Sequence, residues 1–478
     1  MRKHVFPLTV AICFSFSALA LEPSTTPRSD WPQWRGPLSN GESPQGRPPT
    51  DWSETKNVKW KVEVPGNGLS TPIVWGDRVF LQTAIPTDRK SENADAPAAD
   101  KPQEKENAEE RPARGEGERR GDGERRGEGA RREGRRRGGS EKPTNIYQFV
   151  VLAIDRNTGS RLWEQIVREE VPHEGSHEDG SLAPSSPITD GEHLYAYFGS
   201  RGLYCLDMNG KKIWEKDFGD MTTRNGFGEG SSPALHGDTL VINWDHEAGS
   251  FIVALDKKTG DEKWRVARDE TTSWSTPVIV DAGGKAQVAA NGANRIRGYD
   301  LSDGRLIWEC AGMTQGIIPS PLIGDDLLFF TSDGRGSALL AVRYKEASGD
   351  ITGTKAVAWV YDGTGTPYVA SPLLYKDAIY FPDNSKAILS CVDAKTGKAH
   401  YVDQRLEEFQ GVYASPVAAD GRVYVASRDG KTAVIQAGPE FKLLTVNTLD
   451  DSFSASPAIA GAQLFLRGQK HLYCLQGG

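Results

Sequence analysis

The sequence predicts an all-β protein, an eight-bladed β-propeller of four-stranded antiparallel blades closed by an N-terminal strand. Three observations carry this. Eight apolar runs open on a Ser or Thr directly before Pro, at Thr71-Pro72, Ser186-Pro187, Ser232-Pro233, Thr276-Pro277, Ser320-Pro321, Ser371-Pro372, Ser415-Pro416 and Ser456-Pro457. From the second copy onward the Pro-to-Pro steps are 46, 44, 44, 51, 44 and 41 residues, the period of blades made of four short strands. The two ends of the chain are also complementary. The last copy (456–476) stops after three strands, and NVKWKVEVP at 57–65 supplies one before the first copy. A strand from the N-terminal end that completes blade 8 removes the free edges that invite aggregation.

Each blade reads the same way. After the Ser/Thr-Pro step, segments such as 188–207 and 417–435 alternate as strand, Gly/Asp turn, strand, polar turn, strand. The third strand ends in an Asp, most clearly in AIDRNTGSRLW (153–163) and ALDKKTGDEKW (254–264) and more loosely at 299–308 and 205–214. The Asp carboxylate accepts backbone N–H groups of a tight turn and the Gly takes a positive φ before the fourth strand. Asp155, Asp256, Asp300 and Asp393 are therefore turn residues. A Trp closes the motif at Trp60, Trp163, Trp214, Trp264, Trp308 and Trp359, placed to lie across the seam to the next blade and bury on the order of 150–250 Å² each. Tyr401 replaces it in blade 6, and blade 7 has no equivalent near Phe441.

Around the blades lie three other segments. Residues 1–20 carry Arg2, Lys3 and His4, an apolar stretch and the small-residue end Ala18-Leu19-Ala20, the pattern of a secretory signal peptide; residues 21–56 form an N-terminal extension to the propeller of 57–478. Residues 85–143 interrupt blade 1 with an acidic half and a basic half of G-E-R-R-G units, 16 basic against 15 acidic side chains. Such a segment is expected to be disordered, for want of apolar surface to offset its ordering entropy. The exported setting and the insert's acidic half, which competes for its arginines, argue against a nucleic-acid partner, and no later window reaches the roughly 18 apolar residues of a membrane span. After the leader only Cys205, Cys310, Cys391 and Cys474 remain. Three share one register in their blades and read as small buried hydrophobes.

Candidate site residues come from the face that carries the connections between blades and the turns between second and third strands, which in propellers surrounds the central channel. The turns offer Arg201, Asp245, His246, Asn291, Arg295, Arg297, Lys386 and Arg428; the approaches to the Ser/Thr-Pro steps offer Arg224, Asn225, Trp274, Gln315, Tyr368 and Tyr413. Mixed aromatics and amides suit a polar ligand with planar or sugar-like faces. His173-Glu174-Gly175-Ser176-His177 fits H-E-x-x-H, but Gly175, Gly180 and Pro172 place it in a loop rather than the helix a zinc protease needs. His173 and His177, with Asp245 and His246, are expected to meet as hydrogen-bond donors or metal ligands.

The A-x-D-x-x-T-G-x-x-x-W string resembles the tryptophan-docking repeat of the pyrroloquinoline-quinone (PQQ) propeller family, which includes quinoprotein alcohol dehydrogenases and the assembly lipoprotein BamB. The resemblance covers about 57–478 apart from the insert. Trp31-Pro32-Gln33-Trp34-Arg35-Gly36-Pro37 resembles the N-terminal segment of exported PQQ-like repeat proteins. In quinoprotein dehydrogenases the resemblance implies an adjacent Cys pair against the quinone and a calcium ion beside it. This chain has no adjacent cysteines and no C-x-x-C-H, so no cofactor is expected. The expected function is an exported, periplasmic or extracellular monomer that binds a protein, peptide or glycan on its channel face. The alternative is a PQQ-dependent oxidoreductase, with calcium, in which Arg295 or Arg297 pairs with the cofactor carboxylates.

Overall fold

Eight antiparallel sheets follow one another round a central channel in the computed structural model, which describes residues 29–90, 141–332, 338–361, 363, 365–383 and 387–477. Seven sheets have four strands, and blade 4 gains a fifth, Gly349–Asp350, which pairs parallel to Leu306–Cys310. The ring closes as the termini imply. Val58–Glu63 pairs antiparallel with His471–Gln476, Trp60 standing opposite Cys474, so blade 8 takes its outermost strand from the N-terminal end. The core is built blade by blade, with alternate residues of the inner strands buried against the two neighbouring sheets.

The repeated string explains the seams. Trp60, Trp163, Trp214, Trp264 and Trp359 each donate their indole N–H to a carbonyl in the next blade's turn, at Arg156, Met208, Lys257, Leu301 and Ala394, over 2.8–3.1 Å. The turn glycine has two reasons to be glycine. Gly159 has φ +77, and a Cβ there would stand 2.9 Å from the Trp60 ring. Opposite the aromatic, on the third strand, the residue is always small: Ala153 faces Trp163, Cys205 faces Trp214, Ala254 faces Trp264, Cys391 faces Tyr401 and Cys474 faces Trp60. The cysteines are thus room for a ring. They are free and buried, and burial pushes the thiols of Cys205, Cys391 and Cys474 up to about 12.

Trp308 departs from the expected staple. It stays within its own blade, over Gly298, and donates to Gln287 Oε1 at 3.1 Å, because the following blade has an irregular 343–356 connection where blades 1 to 4 and 6 have a tight turn whose glycine receives the ring. Tyr344 fills that seam instead, its hydroxyl reaching the carbonyls of Asp281 and Asp325. At the blade 6 to 7 seam Tyr401 meets Phe441 edge-on at 5.7 Å.

The blade 1 insert is shorter than expected. Residues 85–90 prolong the second strand to Lys90, with Ile85 opposite Gln148 and Pro86 opposite Tyr147; continued pairing with a third strand that starts at Asn145, and the Arg89–Glu169 ion pair at 2.5 Å, hold them there. Residues 91–140, on which the rest of the expected disorder falls, lie outside the described residues, as do residues 1–20, where a leader is expected, and residues 21–28.

The turn aspartates are held below the usual carboxylate range: Asp155 first by the Thr158 hydroxyl, Asp256 by the Lys258 N–H and Asp300 by the Ser302 hydroxyl. A lowered folded pKa contributes stability that is complete above the ordinary Asp value of about 4 and is lost as pH falls through the folded values. The triple variant Asp155→Asn, Asp256→Asn, Asp300→Asn keeps an acceptor in each turn. Its urea midpoint is expected to fall less than that of the parent between about pH 6 and about pH 3, and an equal fall in both proteins would contradict this assignment.

Candidate functional site

The eight Ser/Thr-Pro steps form a hydrogen-bonded girdle round the channel. The N–H of Thr71 donates to Ser186 Oγ, that of Ser186 to Ser232, Ser232 to Thr276, Thr276 to Ser320, Ser320 to Ser371, Ser371 to Ser415 and Ser415 to Ser456, all at 2.8–3.0 Å. Each blade's hydroxyl thus satisfies its neighbour's buried N–H, which is why a hydroxyl recurs there. The eighth link, between blades 8 and 1, is open: Thr71 Oγ1 is buried without a hydrogen-bond partner. Arg467 bridges that seam instead, donating to Ser70 Oγ and to the Gln82 carbonyl at 2.5 and 2.7 Å.

Above the girdle opens a funnel of about 890 Å³. Its wall carries Thr71, Ser186, Ser232, Thr276, Ser371, Ser415 and Ser456 at girdle level, with Phe227, Trp274, Tyr368, Tyr413, His177, Arg224, Asn225 and Gln315 higher up. Of the residues anticipated from sequence, the structure therefore brings His177, Arg224, Asn225, Trp274, Gln315, Tyr368 and Tyr413 together. Arg428 stands just behind, its guanidinium 4.8 Å over the Tyr413 ring and 2.6 Å from Asp179. Burial, then the Asp179 charge, raises the Tyr413 phenol above its ordinary value, so this hydroxyl remains a donor at neutral pH.

The remaining candidates hold seams together and do not line the funnel. Arg201 pairs with Glu229 at 2.8 Å. Asp245 forms a wholly buried two-pronged pair with Arg268, which also reaches Tyr299 Oη and the Asn291 carbonyl. His246 Nδ1 accepts the Thr222 N–H, and the Asn291 amide donates to the Thr331 carbonyl. Arg297 pairs with Glu270, Asp269 and Glu309, and Arg295 with Asp350 and Glu309. His173 is tied to the Met221 carbonyl at 2.7 Å and Glu174 accepts from Thr223, so the H-E-x-x-H string is a loop clamp. Among the described residues His173, His177, Asp245 and His246 form no group with metal-ligand spacing; His173 and His246 hold the adjacent Met221 and Thr222. Among the described residues the one cluster with metal-ligand spacing is Asp190, Glu192 and His193, on the opposite face, where Lys257 pairs with Asp190 at 2.9 Å. Lys386 lies outside the described residues.

The floor of the funnel comes from the N-terminal extension, which sequence reading left without a role. This segment runs as a strap under the ring. Trp31 exchanges backbone hydrogen bonds with Val74, the Pro32 carbonyl takes the Thr189 N–H, Gly41 and Ser43 pair with Ala418, and the Arg47 N–H donates to Gly461. Midway, the strap enters the channel. Trp34 borders both the funnel and a separate cavity of about 230 Å³ beneath it. Arg35 is buried and donates to the carbonyls of Pro372, Pro416 and Asn40 at 2.7, 2.9 and 3.2 Å. Burial pushes its pKa down to about 9, which leaves it a cation at neutral pH.

The funnel does not fit a PQQ and calcium site. Arg295 and Arg297 are held by carboxylates outside it. Asp179 and Glu229, which line it, are already neutralised by Arg428 and Arg201, and the described cysteines are buried in strands.

Girdle, seam tryptophans and funnel together define a tryptophan-docked β-propeller. The family model described as "Outer membrane protein assembly factor BamB" matches residues 148–399 and 310–476, most of the chain, and the chain belongs to this PQQ-like β-propeller family. No curated protein matches the sequence. Among solved structures, BamB from Moraxella catarrhalis is 14% identical with a TM-score of 0.51, over 71% of this chain and 94% of that one. A europium-containing methanol dehydrogenase is 10% identical with a TM-score of 0.57, over 92% and 90%. The quinohemoprotein alcohol dehydrogenase from Comamonas testosteroni is 11% identical with a TM-score of 0.53, over 94% and 81%. At these identities the likeness is one of fold. No helix among the described residues is long and apolar enough to cross a membrane.

Proposed function

We propose that this protein is an exported, monomeric binding module, periplasmic or extracellular, that holds another macromolecule through the funnel. The observation that supports this most is the funnel itself. It is a wide concave site walled by aromatic and hydroxyl side chains, its carboxylates Asp179 and Glu229 each neutralised by an arginine. Such a lining recognises shape and hydrogen-bonding capacity. Propellers of this family that assemble outer-membrane proteins favour a binding role, and the leader-like residues 1–20 favour export. Oxidation through PQQ is disfavoured by the committed arginines and carboxylates.

Site-specific photocrosslinking tests the reading. With p-benzoylphenylalanine at Tyr413 or Tyr368, irradiation in the native envelope is expected to give adducts with a discrete partner, and the same probe at Leu162 on an outer strand to give none. Adducts of equal yield from Leu162, or none from the funnel positions, would contradict it.

A further inference from the structure

We infer that the funnel takes the end of an oligosaccharide chain, with Trp34 as the surface against which the terminal sugar rests. This rests on the binding role proposed above and adds the ligand's class and its direction of entry. The first observation is that the site is blind. Trp34 separates the funnel from the cavity below, and the adjoining Arg35 is pinned by carbonyls of two blades. A polymer cannot thread such a channel; only a terminus can reach its depth.

The second observation concerns what the depth of the funnel can donate. Six lining hydroxyls, from Ser186 round to Ser456, accept a neighbour's N–H. A hydroxyl that accepts still has its own proton to give, and among the described residues these protons meet no protein acceptor. Seven of the eight backbone N–H groups at the same level are used within the girdle, which removes nearly all the donors that an added peptide strand would need. What remains is a circle of O–H donors awaiting an acceptor-rich ligand. A sugar, with an oxygen on nearly every carbon, supplies that.

The third observation is the wall. Phe227, Trp274, Tyr368 and Tyr413 give aromatic surface for the C–H faces of pyranose rings. At the mouth the Arg224 guanidinium is held by Gln315 Oε1 at 2.9 Å, leaving further N–H groups to meet hydroxyls of the following sugar.

The experiment titrates the mature protein, followed by calorimetry, with linear cellohexaose, chitohexaose and maltohexaose, with cyclic maltohexaose, and with uncharged peptides of similar length. At least one linear oligosaccharide is expected to bind, the cyclic sugar and the peptides not. Trp34→Ala and Trp274→Ala are each expected to weaken binding by about tenfold or more; Trp34→Leu, which keeps an apolar plug, serves if the alanine variant unfolds. Binding that survives both Trp34 variants but is lost in Trp274→Ala would overturn the end-on mode while leaving the funnel as the site. Peptide binding with no response to any sugar, or no binding by any of these sugars, would overturn the ligand class. Binding indifferent to every funnel variant would overturn the binding role of the funnel itself.

Discussion

Arg268→Met is expected to lower global stability by about 3–5 kcal/mol, the range for removing one member of a buried ion pair. Arg268 and Asp245 have no exposed side-chain surface. Desolvation is the largest single influence on the guanidinium, and the Asp245 charge and hydrogen bond, with Tyr299 and the Glu270 charge, together more than offset it, holding the proton well above the ordinary arginine value. With Arg268 gone, Asp245 keeps, among the described residues, the Asn243 amide at 2.9 Å, and the Tyr299 hydroxyl and Asn291 carbonyl lose the donor that Arg268 gives them. The double variant Arg268→Met, Asp245→Asn removes the stranded charge and should recover much of the loss. Urea unfolding of the two variants and the parent measures this, and a single variant within about 1 kcal/mol of the parent would show that the pair carries no weight in the blade 3 to 4 seam.

Arg35→Met is expected to cost about 3 kcal/mol and to free the strap. Three buried carbonyls lose their donor together, and each buried group left without a partner costs about 1–3 kcal/mol. The loss is local in its consequences, since the rest of the strap still pairs with Val74, Ala418 and Gly461. The expected signature is therefore a lower urea midpoint together with new proteolytic cuts between residues 30 and 47, while blades distant from the strap keep their resistance. A protein destabilised uniformly, without those cuts, would mean that Arg35 supports the ring and not the strap.

The fold was legible because a propeller repeats its physics. The Ser/Thr-Pro steps mark the girdle, the Asp and Gly mark a tight turn, and the Trp marks a seam, so one blade explains most others. The exceptions follow from local changes in that string. Trp308 turns inward because blade 5 has no tight glycine turn to receive it, and Ile85–Lys90 stay in a strand because their partners at Asn145–Gln148 extend as far.

The site was legible by half. Residues just before the Ser/Thr-Pro steps, Trp274, Gln315, Tyr368 and Tyr413, reach the funnel because the chain there dives toward the channel. The charged residues of the second-to-third-strand turns do not, because each turn has backbone N–H groups to satisfy. Carboxylates from the neighbouring loops do so, as Glu270 does for Asn294 and Arg295, and the turn arginines neutralise them. The clustered signs in Arg268-Asp269-Glu270 and Arg295 to Arg297 were the readable hint of this pairing. The role of Trp34 and Arg35 was hidden because their partners, Pro372, Pro416 and Thr276, lie hundreds of residues away; two tryptophans and an arginine within five residues were the only trace.

Both the sealed channel and the blind site require residues 31–47 to lie under and inside the ring, and a photoreactive residue at position 34 reports that directly. With p-benzoylphenylalanine in place of Trp34, irradiation of the purified protein followed by peptide mapping is expected to give intramolecular adducts to the peptides carrying Thr276, which borders both cavities, and Ser320, which lines the lower one. Adducts confined to other molecules, or none to the girdle peptides, would contradict it.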